Sequence, residues 1–138
     1  MTARHAAPFH PTSFGDVALA RAAVAAADVG GAYADSPVAF WPLDGAAARL
    51  VESLRDGGRW ILVTCRRSDE PGHAAHLYER SLTAAQRFSL SLWIDGLDAV
   101  WILDGLPARG AFRTAGLEIG PSEPVGLVWV SGTLHGQP

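Results

Sequence analysis

One long apolar segment constrains the fold of this chain more than any other feature. Residues 81–95 run without a glycine or a proline until Gly96. This segment predicts a helix, and Gly96 suits its end because glycine adopts the left-handed backbone of a helix C-cap without strain. Apolar residues surround most of the helix, whereas a helix that faces water on one side is polar there. These apolar residues are Leu82, Ala85, Phe88, Leu90, Leu92, Trp93 and Ile94.

The wide apolar surface of this helix indicates a protein partner. A small domain cannot cover such a helix on all sides, and a second copy of the chain is one way to bury the remaining face. We therefore predict a homodimer whose interface centres on residues 81–95. Phe88 or Leu92 is expected to face the partner.

Composition limits the class of protein. The 138 residues suit a single domain, and an apolar fraction of 49% is enough for a buried core. No apolar run reaches the roughly 18 residues of a membrane span, and the first 16 residues lack the apolar block of a signal peptide. The net charge of -3 argues against nucleic acid or a membrane as partner. A single cysteine cannot form an internal disulfide, so a cytoplasmic protein is expected.

Strand and helix patterns alternate along the rest of the chain, which indicates an α/β or α+β sheet with helical layers. The run at residues 60–65 is continuously apolar and predicts a central strand covered on both faces. Pro42 places the strand at residues 38–43 at a sheet edge or a strand end. The other predicted elements are an extended arm at 1–12, helices at 17–28, 46–55 and 108–115, a long helix that begins between Pro71 and His76, and strands at 96–103 and 124–131.

Several motifs resemble those of the nitroreductase family of FMN enzymes. In that family a dimer-interface helix runs into a Gly-Leu-Gly-Ser-x-Trp turn, to which Gly96-Leu97-Asp98 is similar. The segment Glu123-Pro124-Val125-Gly126-Leu127 is similar to the family's later Glu-x-Pro-Val-x-Leu strand. When Phe9 is set on the family's amino-terminal Phe, Ser36-Pro37 falls on its Gln-Pro. The resemblance covers essentially residues 1–138 as one minimal domain, and it implies an α+β fold with a long central dimer-interface helix.

The resemblance also implies a cofactor, FMN, and residues that bind it. Arg4 and His5 fall near the family's basic phosphate ligands, and Tyr33 and Ser36 fall in the cleft. Gly96, Leu97 and Asp98 match the turn that passes the dimethylbenzene and N5 side of the flavin. The match departs from the family at three places: one basic group survives at the arm, Ala34 replaces an Asn that contacts the ring, and residues 132–138 contain no Arg or Lys. No catalytic acid or base is implied.

Each of these residues also has a structural explanation. Arg4 suits a solvated arm, and Gly96 suits a simple helix C-cap. His73 and His76 are three residues apart and, with His5 or His10, form a weak candidate for a metal site, although a chance surface pair accounts for them better. Cys65 ends an apolar strand, where a buried structural thiol is the expected role.

Three functions fit the sequence. The first is an FMN-dependent oxidoreductase that takes hydride from NAD(P)H and reduces a small-molecule acceptor. The second is a dimeric binding or scaffold module that keeps the fold but has lost FMN. The third is a binder that holds a small ligand in the vacated cleft. The incomplete phosphate site favours the second and third functions, and the retained cleft residues favour the first.

Overall fold

The computed structural model describes residues 37–55 and 58–134, and it gives the backbone alone for residues 131–134. The predicted arm and the predicted helix at residues 17–28 lie outside this range. The described elements are β1 (Val38–Leu43), α1 (Gly45–Arg49), a 3-10 turn (Glu52–Leu54), β2 (Arg59–Arg66), α2 (Pro71–Ile94), β3 (Leu97–Ile102), α3 (Arg109–Thr114) and β4 (Ser122–Leu134).

The four described strands form one antiparallel sheet in the order β1-β2-β4-β3. The α+β prediction is confirmed. β2 lies inside the sheet, as its continuous apolar sequence predicts, and residues 61–65 are all buried. β1 is an edge strand among the described elements, and this is where a proline that lacks an N–H is tolerated.

A helix or loop layer covers each face of the sheet. Helix α2 packs on one face, where the rings of Phe40 and Phe88 are stacked with centroids 4.6 Å apart. The segment around Val51 and the segment that contains α3 cover the other face, where Phe112 is fully buried. On this second face the indole N–H of Trp41 donates to Thr64 Oγ1 at 2.7 Å, which satisfies two buried polar groups.

Helix α2 has sequence signals at both ends. Pro71 occupies the first turn, where the absence of its N–H costs nothing. Gly96 ends the helix with φ of 89° and donates its N–H to the carbonyl of Trp93 at 3.0 Å. A residue with a side chain would be strained in this conformation. The predicted long helix and its end at Gly96 are therefore confirmed.

The side of α2 that faces the sheet differs from our expectation. Phe88 and Leu92 have no exposed surface because they pack on the sheet, so the prediction that one of them faces a partner is wrong. In the last two turns of α2, the apolar residues that do face outwards are Leu90, Trp93 and Ile94, with exposed fractions of 58%, 54% and 77%. We call these three residues the apolar patch.

Two other predicted elements have different bounds. The predicted helix at 46–55 is divided into α1 and a 3-10 turn, because Val51 N–H donates to Ala48 O and Leu54 N–H donates to Val51 O, three residues back in each case. β4 is longer than predicted and contains an irregularity opposite Val63 and Thr64. Its Gly126 packs against the Trp101 ring of β3, and a Cβ atom there would overlap the ring.

Candidate functional site

The candidate site lies where α2 ends and β3 begins. The chain reverses direction at Gly96, which places the last turns of α2 beside the start of the strand. Leu97 is buried in the core, whereas Asp98 is exposed. The pairing with β4 is irregular between Leu97 and Ala99, so Asp98 lies at a break in the regular ladder.

An open pocket of about 190 Å³ lies at this turn. Helix α2 contributes one wall and the first residues of β3 contribute the other. The pocket therefore has a flat aromatic surface, two leucine side chains, a hydroxyl group and a carboxylate. The lining residues are Ser89, Leu90, Trp93, Leu97, Asp98 and Ala99.

The charged residues close to this turn in the sequence are acidic. The last turn of α2 contains no basic residue, and the carbonyl end of a helix carries a partial negative charge. Asp95 and Asp98 flank the Gly96-Leu97 turn. Residues 88–108 as a whole contain three Asp and no Arg, Lys or His. Among the described residues that line the pocket, Asp98 is the one charged residue.

The structure brings together part of the predicted site. Leu97 and Asp98 line the pocket and Gly96 directly precedes them in the turn, while a role of these three residues in cofactor binding stays a prediction. Arg4, His5, Tyr33 and Ser36 lie outside the described residues, so their place in the site stays a prediction. Sequence reasoning missed Ser89, Leu90 and Trp93 as pocket residues. The signal that could have identified them is their position in the last two turns before Gly96, on the side of α2 away from the core stripe.

The other residues singled out in the sequence have structural roles. Cys65 is buried and donates from Sγ to the carbonyl of Leu77 at 3.2 Å. Burial raises the pKa of this thiol, against smaller lowering effects from the Arg66 backbone N–H and from the charges of Arg80 and Arg66. The structural reading of Cys65 is therefore supported.

The histidine pair lies on the exposed first turns of α2. His73 Nδ1 is 3.0 Å from Ser68 Oγ. Within residues 37–55 and 58–134, no three His, Cys, Asp or Glu side chains are placed to bind a metal ion together. In the same range, no helix is long and apolar enough to cross a membrane.

Comparisons with known proteins rest on structure, since no family profile and no curated protein matches this sequence. A nitroreductase family protein from Clostridium difficile 630 superposes with a TM-score of 0.67 at 12% identity, over 96% of this chain and 82% of the other. A nitroreductase-like family protein from Bacillus cereus gives 0.65 at 15% identity, over 98% and 84%. This chain has a nitroreductase-like fold.

A third structure with this fold contains a cofactor. It is a protein from Desulfovibrio desulfuricans in complex with FMN, with a TM-score of 0.64 and 15% identity over 99% of this chain and 87% of the other. These three superpositions, at identities of 12–15%, show the fold alone. The resemblance noted in the sequence is thereby confirmed for the fold.

Proposed function

We propose that this protein is a homodimeric, cytoplasmic oxidoreductase that binds FMN weakly and passes electrons from NAD(P)H to a small-molecule acceptor. The observation that carries the proposal is the pocket at the Gly96 turn, in a fold whose Desulfovibrio desulfuricans representative contains FMN. The chain would act as one domain over residues 1–138.

The pocket suits one end of a flavin better than the other. Leu90, Trp93 and Leu97 offer apolar walls for an aromatic ring, and the neighbouring Gly96 has no side chain that would block the approach of a ring to the turn. The volume of about 190 Å³ is below the roughly 300–1,000 Å³ of most ligand pockets, so the described residues form only part of a flavin site.

The phosphate end of FMN has no ligand in the described pocket. A phosphate dianion is bound best by guanidinium groups and backbone N–H groups. None of the six lining residues is basic. We assign the phosphate to Arg4 and His5, as the family resemblance implies, with Tyr33 and Ser36 in the cleft. A single arginine against a dianion supports weak binding.

Bound FMN would supply the hydride and electron transfer, and this chain would position it. The apolar walls would exclude water from the ring, and the backbone at Gly96 and Leu97 would approach it closely. No side-chain acid or base is needed for these roles.

The apolar patch supports the homodimer. Leu90, Trp93 and Ile94 lie within five residues of one another at the end of α2, and all are more than half exposed. Leu90 and Trp93 also line the pocket. A second copy that covers the patch would therefore add a wall to the pocket and enlarge the site beyond what one chain supplies.

A second candidate is a dimeric binding module that has lost FMN. The observation that favours it is that none of the described residues lining the pocket is basic, so they offer a phosphate no charged partner. In this case the fold and the apolar patch would serve association alone.

NAD(P)H oxidation with added FMN and a quinone separates these candidates. The informative variant is Gly96→Ala, in which a methyl group would enter the turn beside the ring. Gly116→Ala is the matched control, because Gly116 has a similar φ of 94° and an added Cβ there meets no atom within 4 Å. Both variants should lose about 1 kcal/mol of folding stability from the left-handed backbone.

The oxidoreductase predicts turnover in the wild type and in Gly116→Ala and its loss in a folded Gly96→Ala. Equal activity in both variants would show that the turn does not adjoin the ring. A folded wild type with neither turnover nor FMN binding would favour the binding module.

A further inference from the structure

A charged cluster lies at the end of the sheet opposite the pocket. Arg67 directly follows β2, Glu123 is the second residue of β4, and Arg109 begins α3. The pocket lies at the other end of β4, where Leu97 pairs with Leu134. The cluster is therefore separate from the pocket that the proposed function uses.

Two guanidinium groups converge on one carboxylate in this cluster. Nη1 of Arg67 and Nη1 of Arg109 both lie 3.7 Å from the same atom, Oε1 of Glu123. A direct hydrogen bond between a guanidinium and a carboxylate is shorter, about 2.7–2.9 Å. Charge therefore holds the two arginines near each other, while the carboxylate is a close hydrogen-bond acceptor for neither. We call Arg67 and Arg109 the arginine pair.

Most hydrogen-bond donors of the arginine pair are available to a ligand. A guanidinium has several N–H donors in a fixed planar fork. Arg109 Nη1 donates to the carbonyl of Gly120 at 3.3 Å, and Arg67 Nε lies 3.9 Å from Oδ1 of Asp69. Within the part of the chain that the structure describes, these contacts and Glu123 are the polar contacts of the two groups. The remaining donors can bind an anion.

A neighbouring ion pair differs from the cluster in its balance of charge. Arg113 Nε lies 3.2 Å from Oε2 of Glu118, so one cation meets one anion there. In the cluster, Glu123 faces two cations, and the side chain of Asp69 is 97% exposed, so water screens its charge. Arg66, which is also exposed, adds a third positive charge beside Arg67. Positive charge therefore exceeds negative charge in the cluster.

A phosphate dianion matches the arginine pair in charge and in geometry. Because both Nη1 atoms are 3.7 Å from one oxygen, they are at most about twice that distance apart. A phosphate group has oxygens that point in different directions, so it can accept from both guanidinium groups at once at normal hydrogen-bond length. The side chain of Glu123 is 43% exposed and can turn towards water when a ligand displaces it.

We infer that the arginine pair binds a phosphate dianion, free or as a monoester, and that Glu123 occupies the site in its absence. The ligand displaces the carboxylate, and the bound phosphate joins the end of β2 to the start of α3. The inference goes beyond the proposed oxidoreductase, because the site needs neither FMN nor NAD(P)H and uses neither Arg4 nor His5.

Phenyl phosphate and phenyl sulfate test the inference, because they share a shape and differ in charge above the second phosphate pKa of about 6. Each of them, and inorganic phosphate, is titrated at constant ionic strength into the full 138-residue protein without FMN or NAD(P)H. Arginine N–H and backbone amide signals are followed by NMR. The result therefore does not depend on whether the protein is an oxidoreductase.

We expect phenyl phosphate to bind roughly three- to tenfold more tightly than phenyl sulfate, because its second charge meets the second arginine. The comparison with inorganic phosphate distinguishes the two sources of a phosphate dianion. Tighter binding of phenyl phosphate assigns the site to a phosphate ester, and equal or tighter binding of inorganic phosphate assigns it to the free ion.

Two substitutions with opposite expected effects locate the site. Arg109→Gln removes one guanidinium and should weaken phenyl phosphate binding about three- to tenfold. Glu123→Gln keeps the shape of the side chain and removes the competing charge, so it should strengthen binding about two- to fivefold. A purely structural ion pair would not give tighter binding when it is broken. Arg113→Gln and Glu118→Gln, from the neighbouring ion pair, are the matched controls and should leave binding unchanged.

Signal shifts centred on residues 66–69, 109 and 120–123, with opposite effects of Arg109→Gln and Glu123→Gln, would support the inference. Equal affinity for phenyl phosphate and phenyl sulfate, shifts centred elsewhere, or no saturable binding would overturn it. Weaker binding to a folded Glu123→Gln, or an effect of Arg113→Gln as large as that of Arg109→Gln, would overturn it as well. The melting temperature of each variant establishes that it is folded, and phenyl phosphate should raise that of the wild type.

Discussion

Ile94→Asp tests the homodimer because Ile94 is the most exposed apolar side chain of the patch. Its exposed fraction is 77%, and complete burial of an isoleucine contributes about 1.5–3 kcal/mol, so its remaining surface is worth about 1–2 kcal/mol per protomer. Two copies contribute to each dimer, which gives about 2–5 kcal/mol, or a rise in Kd of roughly 30-fold or more. The introduced carboxylate, if covered by the partner, adds a further desolvation cost.

Light scattering coupled to size-exclusion chromatography over a range of protein concentrations measures this effect. The wild type should elute as a dimer at micromolar concentration, and Ile94→Asp should elute as a folded monomer. Leu54→Asp is the control, because Leu54 is also an exposed aliphatic residue but lies on the other side of the sheet, against Gly105. A monomeric wild type, or a dimer that Ile94→Asp leaves intact, would refute the reasoning.

Three further predictions concern the fold itself. Phe88→Ala should lower the free energy of unfolding by about 3–5 kcal/mol in a urea titration, because Phe88 is fully buried and its ring stacks on the Phe40 ring of the sheet. A loss below about 1 kcal/mol would contradict this packing. Gly126→Ala should cost about 1–3 kcal/mol, because the new methyl group overlaps the Trp101 ring, and unchanged stability would show that the ring lies elsewhere. Cys65 should resist thiol reagents in the native state, and rapid labelling at neutral pH would contradict its burial. Burial raises the pKa of this thiol in the folded protein, so the thiolate forms more readily in the unfolded chain. The free energy of unfolding should therefore fall as the pH rises above the ordinary thiol pKa of about 8.5 and through the raised folded-state pKa.

The elements with local signals were predictable from the sequence. Residues 60–65 form an interior strand because a continuous apolar run suits burial on both faces. Helix α2 ends at Gly96 because a left-handed residue is needed there. Pro42 lies in an edge strand because proline has no N–H to donate to a second neighbouring strand.

The orientation of α2 and the pocket were not predictable in this way. When apolar residues surround a helix, periodicity no longer indicates which side meets the core, so Phe88 and Leu90 cannot be distinguished by sequence alone. The strand order depends on contacts between distant segments, such as β2 with β4. Ser89 and Trp93 have no distinctive motif, and they become pocket residues only because β3 folds back beside them.

FMN titration most directly tests the claim that this nitroreductase-like fold retains a weak flavin site. Flavin fluorescence and the visible absorption spectrum are followed while FMN is mixed with the purified wild type and Arg4→Ala. The account predicts saturable, reversible binding of one FMN per protomer, lost after desalting. Arg4→Ala should weaken binding by about 1.5–3 kcal/mol, the contribution of a charged hydrogen bond. Flavin that stays bound through purification and is unaffected by Arg4→Ala, or the absence of any saturable binding, would contradict the account.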